Sequence, residues 1–343
     1  MRNVERKTLT SNPALIKFAM NNEGEKRFVS EADLNFKFGG IEGEKMNSWK
    51  SWLEKKRVLI ADGGWGTEFV QKGLGPGEPP EAWNLNRRDD VLAVASSYVQ
   101  AGADIILTNT FGGTRMKLAK AGLQSKTEGI NRLGSEISRQ AAGNRSLVFA
   151  SIGPTGEFMK PLGMISEEEM FRDFAEQAKS LAAGGADGIV IETMTDLSEA
   201  RAALRAVKEN TNLPVAVTMT FDKGKKGYAT IMGVRPEQAA QELEKNGADI
   251  VGANCGAGID NMIDLMRGMR GAANLPIWCK PNAGLPELVG GQTVYRETPE
   301  MMTSQLKALV DAGANIVGGC CGTTPAHIRL FARERDRLFP QKP

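Results

Sequence analysis

From residue 58 onward, short apolar runs rich in β-formers alternate with longer amphipathic segments, a pattern that restricts the chain to repeated βα units around a parallel sheet. The runs are VLIADG (58–63), DIILTNT (104–110), LVFASIG (147–153), GIVIET (188–193), PVAVTMTF (214–221), DIVGANC (249–255), PIWCKPN (276–282) and NIVGGCC (315–321). Eight such units predict a closed (β/α)8 TIM barrel, which commonly needs about 250 residues. An open doubly wound sheet is the alternative, but no GxGxxG follows the first run. A local echo supports the phasing. AGAD at 101–104, GGAD at 184–187, NGAD at 246–249 and AGAN at 312–315 mark strands two, four, six and eight. A glycine there suits the left-handed cap that stops a helix before the chain turns into the sheet.

The 343 residues leave room for one barrel and an extension. Residues 1–48 are polar, mixed in charge and without sustained periodicity, which predicts a flexible N-terminal extension ahead of a barrel domain over 49–343. Lys+Arg 43 nearly cancels Asp+Glu 41, and the absence of a long like-charged run argues against nucleic-acid or membrane partners and for a small-molecule substrate. No stretch approaches the roughly 20 apolar residues of a membrane span, and the N-terminus lacks a signal-peptide core, so the expected location is the cytoplasm. In a reducing compartment, four cysteines in a chain this long point to metal or redox chemistry rather than a disulfide framework. The single histidine, His327, leaves few options for histidine-based catalysis.

In a (β/α)8 barrel the active site lies at the C-terminal ends of the strands. Cys255 ends the sixth run and Cys320 and Cys321 the eighth, so three of the four cysteines share that rim. Three thiolates suit zinc, and three protein ligands leave the fourth position open, as in catalytic sites. The competing reading is buried core cysteine, which fits Cys279 within the seventh run. An ion that holds a substrate thiol as thiolate implies alkyl transfer to sulfur. Among the other rim residues, Glu192 is placed to accept hydrogen bonds from an ammonium, and the amides of the Gly63-Gly64-Trp65 turn to receive a carboxylate. Asp62 is expected to orient that turn, to help bind the ammonium or to cap a helix, with Asn109 and Asn282 as weaker candidates.

Together DGGWGTEF (62–69), LTNTFGGTR (107–115), IETMTDLSEA (191–200), GANCG (252–256), KPNAGLPE (280–287) and GGCCGTTPAHI (318–328) resemble the homocysteine S-methyltransferase family, from about Val58 to Leu330. The resemblance implies that Cys255, Cys320 and Cys321 bind zinc, that homocysteine completes the coordination, and that Glu192 and the Asp62-Gly63-Gly64 turn hold the amino acid. It also implies Asn282 as the fourth ligand when substrate is absent. GGCCGTTP and PNAGLPELVGGQTVY look closer to the homocysteine-binding module of cobalamin-dependent methionine synthase than to the stand-alone enzymes, which more often carry CCR than CCG. The expected donor is therefore a methyl-corrinoid, such as methylcobalamin, on a separate corrinoid protein. S-methylmethionine or betaine is the alternative donor. Two rivals from other classes are a phosphate-binding barrel and a non-catalytic zinc-stabilised barrel that binds a corrinoid protein.

Overall fold

The computed structural model describes residues 48–256 and 258–340, together with an antiparallel pairing of Ala19–Met20 with Lys26–Arg27. The rest of the expected flexible extension, residues 1–47, lies outside the described residues. The chain divides into two compact units, 1–46 and 47–343.

Eight parallel strands form the second unit: β1 (Leu59–Ile60), β2 (Ile105–Ile106), β3 (Leu147–Ile152), β4 (Gly188–Met194), β5 (Val215–Met219), β6 (Ile250–Cys255), β7 (Ile277–Pro281) and β8 (Ala314–Val317). They pair in the order β1-β8-β7-β6-β5-β4-β3-β2, and a bridge from Ala61 to Ile105 joins the two ends. The sheet is thus a closed (β/α)8 barrel, with helices such as Glu167–Ala183 and Pro325–Leu338 following the strands.

Side-chain alternation divides the apolar residues into two layers. Leu59, Ile105, Phe149, Val190, Ala216, Ile250, Trp278 and Ile316 fill the lumen, while Ile60, Ile106, Val148, Val217, Val251 and Cys279 pack outward against the helices. The amphipathic segment SWKSWLEKK forms the helix Trp49–Lys56, capped by the Ser48 hydroxyl, and its buried Trp49 belongs to the lumen cluster. Each strand is buried on both faces, which explains why the runs read as continuously apolar.

The echoed tetrapeptides have a second purpose. Gly102, Gly185, Gly247 and Gly313 all take positive φ (95°, 87°, 90° and 114°), as a helix-stopping glycine requires. The residue that ends each echo then accepts a backbone N–H from the first two residues of the preceding strand. Asp104 accepts from Ile60 (2.8 Å), Asp187 from Val148 (2.8 Å), Asp249 from Val215 (2.9 Å) and Asn315 from Ile277 (3.0 Å). Cations complete the three carboxylate clamps: Arg335 and Lys56 on Asp104, Arg139 on Asp187 and Lys208 on Asp249. One motif, repeated four times, fixes strand to strand at the N-terminal rim.

Candidate metal centre and substrate cavity

At the other rim the chain leaves regular geometry. Cys255 ends β6 at φ 58° and Thr193 lies near the end of β4 at φ 62°, conformations uncommon for residues that carry a Cβ. The eighth run departs from its expected extent: β8 stops at Val317, and Gly318–Cys320 run irregularly into a turn at Cys321 and Gly322. Gly319 N–H donates to the Asp62 carbonyl (2.9 Å) and Cys320 N–H to that of Pro281 (2.7 Å), which ties the turn to its neighbours on both sides. A Cβ on Gly318 would stand 2.7 Å from the Asp62 carbonyl oxygen, so only glycine permits this approach.

The turn brings the three expected cysteines together. Cys255 Sγ lies 2.8 Å from Cys320 Sγ, and all three sulfurs fall within 4.8 Å of one another. Hydrogen bonds from Cys255 and Cys320 hold the Cys321 thiol well below the ordinary range, while the contact with Cys320 pushes Cys255 well above it. The sulfurs can share a negative charge but resist ionising together unless a cation joins them. A donor set of three sulfurs matches zinc. The Asn254 amide donates toward Cys255 Sγ (3.6 Å) and Cys320 Sγ (3.9 Å) and also bonds Thr193 and Thr218, so one buried side chain joins β4, β5 and β6 beneath the sulfurs.

Asn282 bridges the two cysteine-bearing turns. Its Oδ1 accepts the Cys321 N–H (3.0 Å) and its Nδ2 donates to the Gly256 carbonyl (2.9 Å). One lone pair of that oxygen is already engaged, and the side chain is 7% exposed.

Beside the sulfurs opens a cavity of about 360 Å³, lined by Gly63, Gly64, Trp65, Asn109, Ser151, Glu192, Lys280 and the three cysteines, among others. Glu192 is buried, and the Ser151 hydroxyl donates to it at 2.5 Å. Burial pushes its carboxyl up to about 7, against the pull of the Lys280 ammonium. Asp62 is fully buried and does not line the cavity. Its carboxylate accepts from Lys280 Nζ (2.6 Å), Trp65 Nε1 (2.7 Å) and Leu107 N–H (2.7 Å), so it braces the wall. The helix that follows, Trp65–Gln71, has Gly64 rather than Asp62 at its N-cap. Of the turn's amides, that of Gly64 is taken by Thr323. Asn109 uses its Nδ2 on the Pro80 carbonyl and on Asn84, and reaches the cavity only with what remains.

The matching sequences decide the family. Residues 59–334 match the profile described as homocysteine S-methyltransferase. The chain belongs to the homocysteine S-methyltransferase family. Methionine synthase of Mycobacterium leprae (strain TN) is 31% identical over 309 residues, covering 83% of this chain and 25% of that protein. Methionine synthase of Mycobacterium tuberculosis (strain ATCC 25618 / H37Rv) is 31% identical over 296 residues, covering 81% and 24%. The chain thus spans about a quarter of the length of these relatives. Among solved structures, the metallated homocysteine methyltransferase MmuM from Escherichia coli superposes with a TM-score of 0.70 at 21% identity over 83% of this chain and 98% of that one, which supports the shared barrel fold.

Sequence reasoning missed Lys280, Asn254 and Ser151. Lys280 carried a usable signal, since a lone charge inside the apolar run PIWCKPN demands a buried partner. Ser151 and Asn254 gave none, because the partner of Ser151 lies 41 positions away and those of the Asn254 side chain lie 36 or more positions away or on the adjacent cysteine.

Proposed function

We propose that this chain transfers a methyl group to the thiol of homocysteine, giving methionine, at a zinc ion held by Cys255, Cys320 and Cys321. The observation that carries the reading is the convergence of three thiols on the wall of a cavity that also presents a buried carboxyl. When bound, zinc would supply an open position at which a substrate thiol is held and ionised. Such help is needed because a free thiol, with a pKa near 8.5, is only a few per cent ionised at neutral pH.

The chain's own residues orient the acceptor. Glu192 receives the ammonium, which favours its ionised form, and the Gly63-Gly64-Trp65 turn faces the carboxylate. The buried Lys280 offsets the negative charge of Asp62, Glu192 and the sulfurs. Asn254 and Asn282 hold the cysteine-bearing turns in register, so little reorganisation separates bound substrate from the reactive pose.

The donor we propose is a methyl-corrinoid presented at the barrel mouth by a protein module distinct from this barrel. The likeness of the PNAGLPELVGGQTVY and GGCCGTTP segments to methionine synthase supports it, as does the 31% identity to two methionine synthases. Zinc-loaded protein and homocysteine, offered methylcobalamin, S-methylmethionine or glycine betaine in turn, test both parts. Methionine from methylcobalamin alone is the expected result. Product from the sulfonium or betaine would overturn the donor, and no product from any of the three would contradict the reading.

A further inference from the structure

Glu297 holds three elements at once, each with a different group. Its backbone N–H donates to the Ala283 carbonyl (3.0 Å), its carbonyl accepts from His327 Nε2 (3.1 Å), and its carboxylate accepts the Ile259 N–H (3.3 Å). All three ties lead back to cysteines. Ala283 donates its own N–H to the Cys321 carbonyl (2.9 Å), and His327 Nδ1 accepts the N–H of Thr324 (3.1 Å), just beyond Cys321. Ile259 opens the helix Ile259–Ala272 that follows Cys255, and its N-cap, Gly258, has no side chain to cap it, so the Glu297 carboxylate serves in its place. A Cβ on Gly258 would stand 1.9 Å from Glu297 Oε1, so glycine there leaves room for the carboxylate.

His327, the single histidine of the chain, is buried at the third position of the helix Pro325–Leu338, where it completes a capping box with Thr324. Glu or Gln ordinarily fills that position. A backbone N–H only donates and a carbonyl only accepts, so Nδ1 is bare and the ring proton sits on Nε2. One nitrogen closes the helix end, and the other makes a bond that a capping Glu could not.

We propose that Glu297 and His327 are positioning residues, an outer brace that fixes the Cys321 turn against the segment following Cys255 and so holds the spacing of the sulfurs around a metal ion. The proposal rests on the reading of the three cysteines as metal ligands. Asn282 supplies the inner link between the same segments. A second link has a purpose, because Cys255 sits at φ 58°, a conformation that persists only where its surroundings over-determine it. Neither Glu297 nor His327 lines the cavity, so both act through the cysteine-bearing segments.

Cobalt(II) in place of zinc gives a readout independent of turnover. The full chain and its variants are titrated well below their melting temperatures, following the sulfur-to-cobalt charge-transfer band for affinity and the ligand-field bands for geometry. His327→Glu keeps an acceptor for Thr324 but has no proton for the Glu297 carbonyl, whereas His327→Gln offers both. Glu297→Ala removes the carboxylate and keeps the backbone ties. His327→Glu and Glu297→Ala should each weaken cobalt binding about tenfold, at the low end of the 10–100-fold typical of groups that orient metal ligands, and shift the ligand-field bands. His327→Gln should bind cobalt as the unaltered chain does. A role confined to helix capping would lower the melting temperature and leave the cobalt affinity and spectrum of the folded protein unchanged. That result in either His327→Glu or Glu297→Ala would overturn the proposal while leaving the metal site standing, and so would a Gln variant as weak as the Glu variant. Absence of the charge-transfer band from the unaltered chain would instead defeat the metal reading, and the brace with it.

Discussion

The two rims of the barrel are built on opposite rules. The N-terminal rim repeats one device four times: a positive-φ glycine ends a helix, and an Asp or Asn two residues later clamps the preceding strand. The C-terminal rim repeats nothing. There, Cys255 and Thr193 take left-handed backbone geometry, a turn replaces the end of the eighth strand, and Asn254, Asn282 and Asp62 hold the wall in place through bonds used once. Repetition suits a rim that only has to close the barrel, whereas a site must place different atoms at different positions. The division follows the general one in this fold, with stability at the lower face and chemistry at the upper.

That contrast predicts which changes cost activity and which cost stability. The largest effect belongs to Cys255→Ala, Cys320→Ala and Cys321→Ala. Each should lose tight zinc binding and methyl transfer while melting near the unaltered protein, because a barrel of this size buries its own core. Metal analysis and a thermal melt check both halves, and full zinc in any one variant would remove that residue from the ligand set.

Asp104→Asn should do the reverse. It removes the buried carboxylate from Arg335, which is 3% exposed and keeps only the exposed Asp336 and the Val58 carbonyl, and so costs about 3 kcal/mol in denaturant unfolding, with zinc content per folded molecule unchanged. Loss of zinc without loss of stability would break the division between the rims.

Glu192→Gln tests the upper rim more finely. Loss of a charge-assisted contact worth about 1.5–3 kcal/mol should raise the KM for homocysteine roughly 10–100-fold with zinc retained. Because burial lifts the carboxyl to about 7, it is largely neutral below that pH and ionised above it. Homocysteine binding should therefore strengthen as pH rises through about 7, and Glu192→Gln should remove this limb of the profile. A KM and pH profile unaltered by the substitution would end the assignment of Glu192 to the ammonium.

The smallest effect is expected at the same clamp where it is more exposed. The Asp249 side chain is 28% exposed and Lys208 38%, so Asp249→Asn should cost no more than about 1 kcal/mol, measured as a shift in denaturant midpoint.

The same contrast explains what could be read in the sequence. The eight strands were legible because apolar runs and helix-stopping glycines are local signals, and the three cysteines because the barrel dictates which strand ends share a rim. The end of β8 was not, since GGCC continues the apolar run NIV although its backbone turns away under ties to Asp62 and Pro281. Asp62 was recognised as special, but its commitment to Lys280, Trp65 and Leu107 depends on a partner 218 positions away. The clamping role of the echoed Asp residues was missed for the same reason: the glycine acts within its own helix end, while the carboxylate acts on another strand.

The most direct test of the central claim is zinc-edge X-ray absorption on the zinc-loaded chain with and without homocysteine. The account predicts three sulfur ligands alone and four once homocysteine is added. A sulfur count that stays the same on adding homocysteine would contradict it.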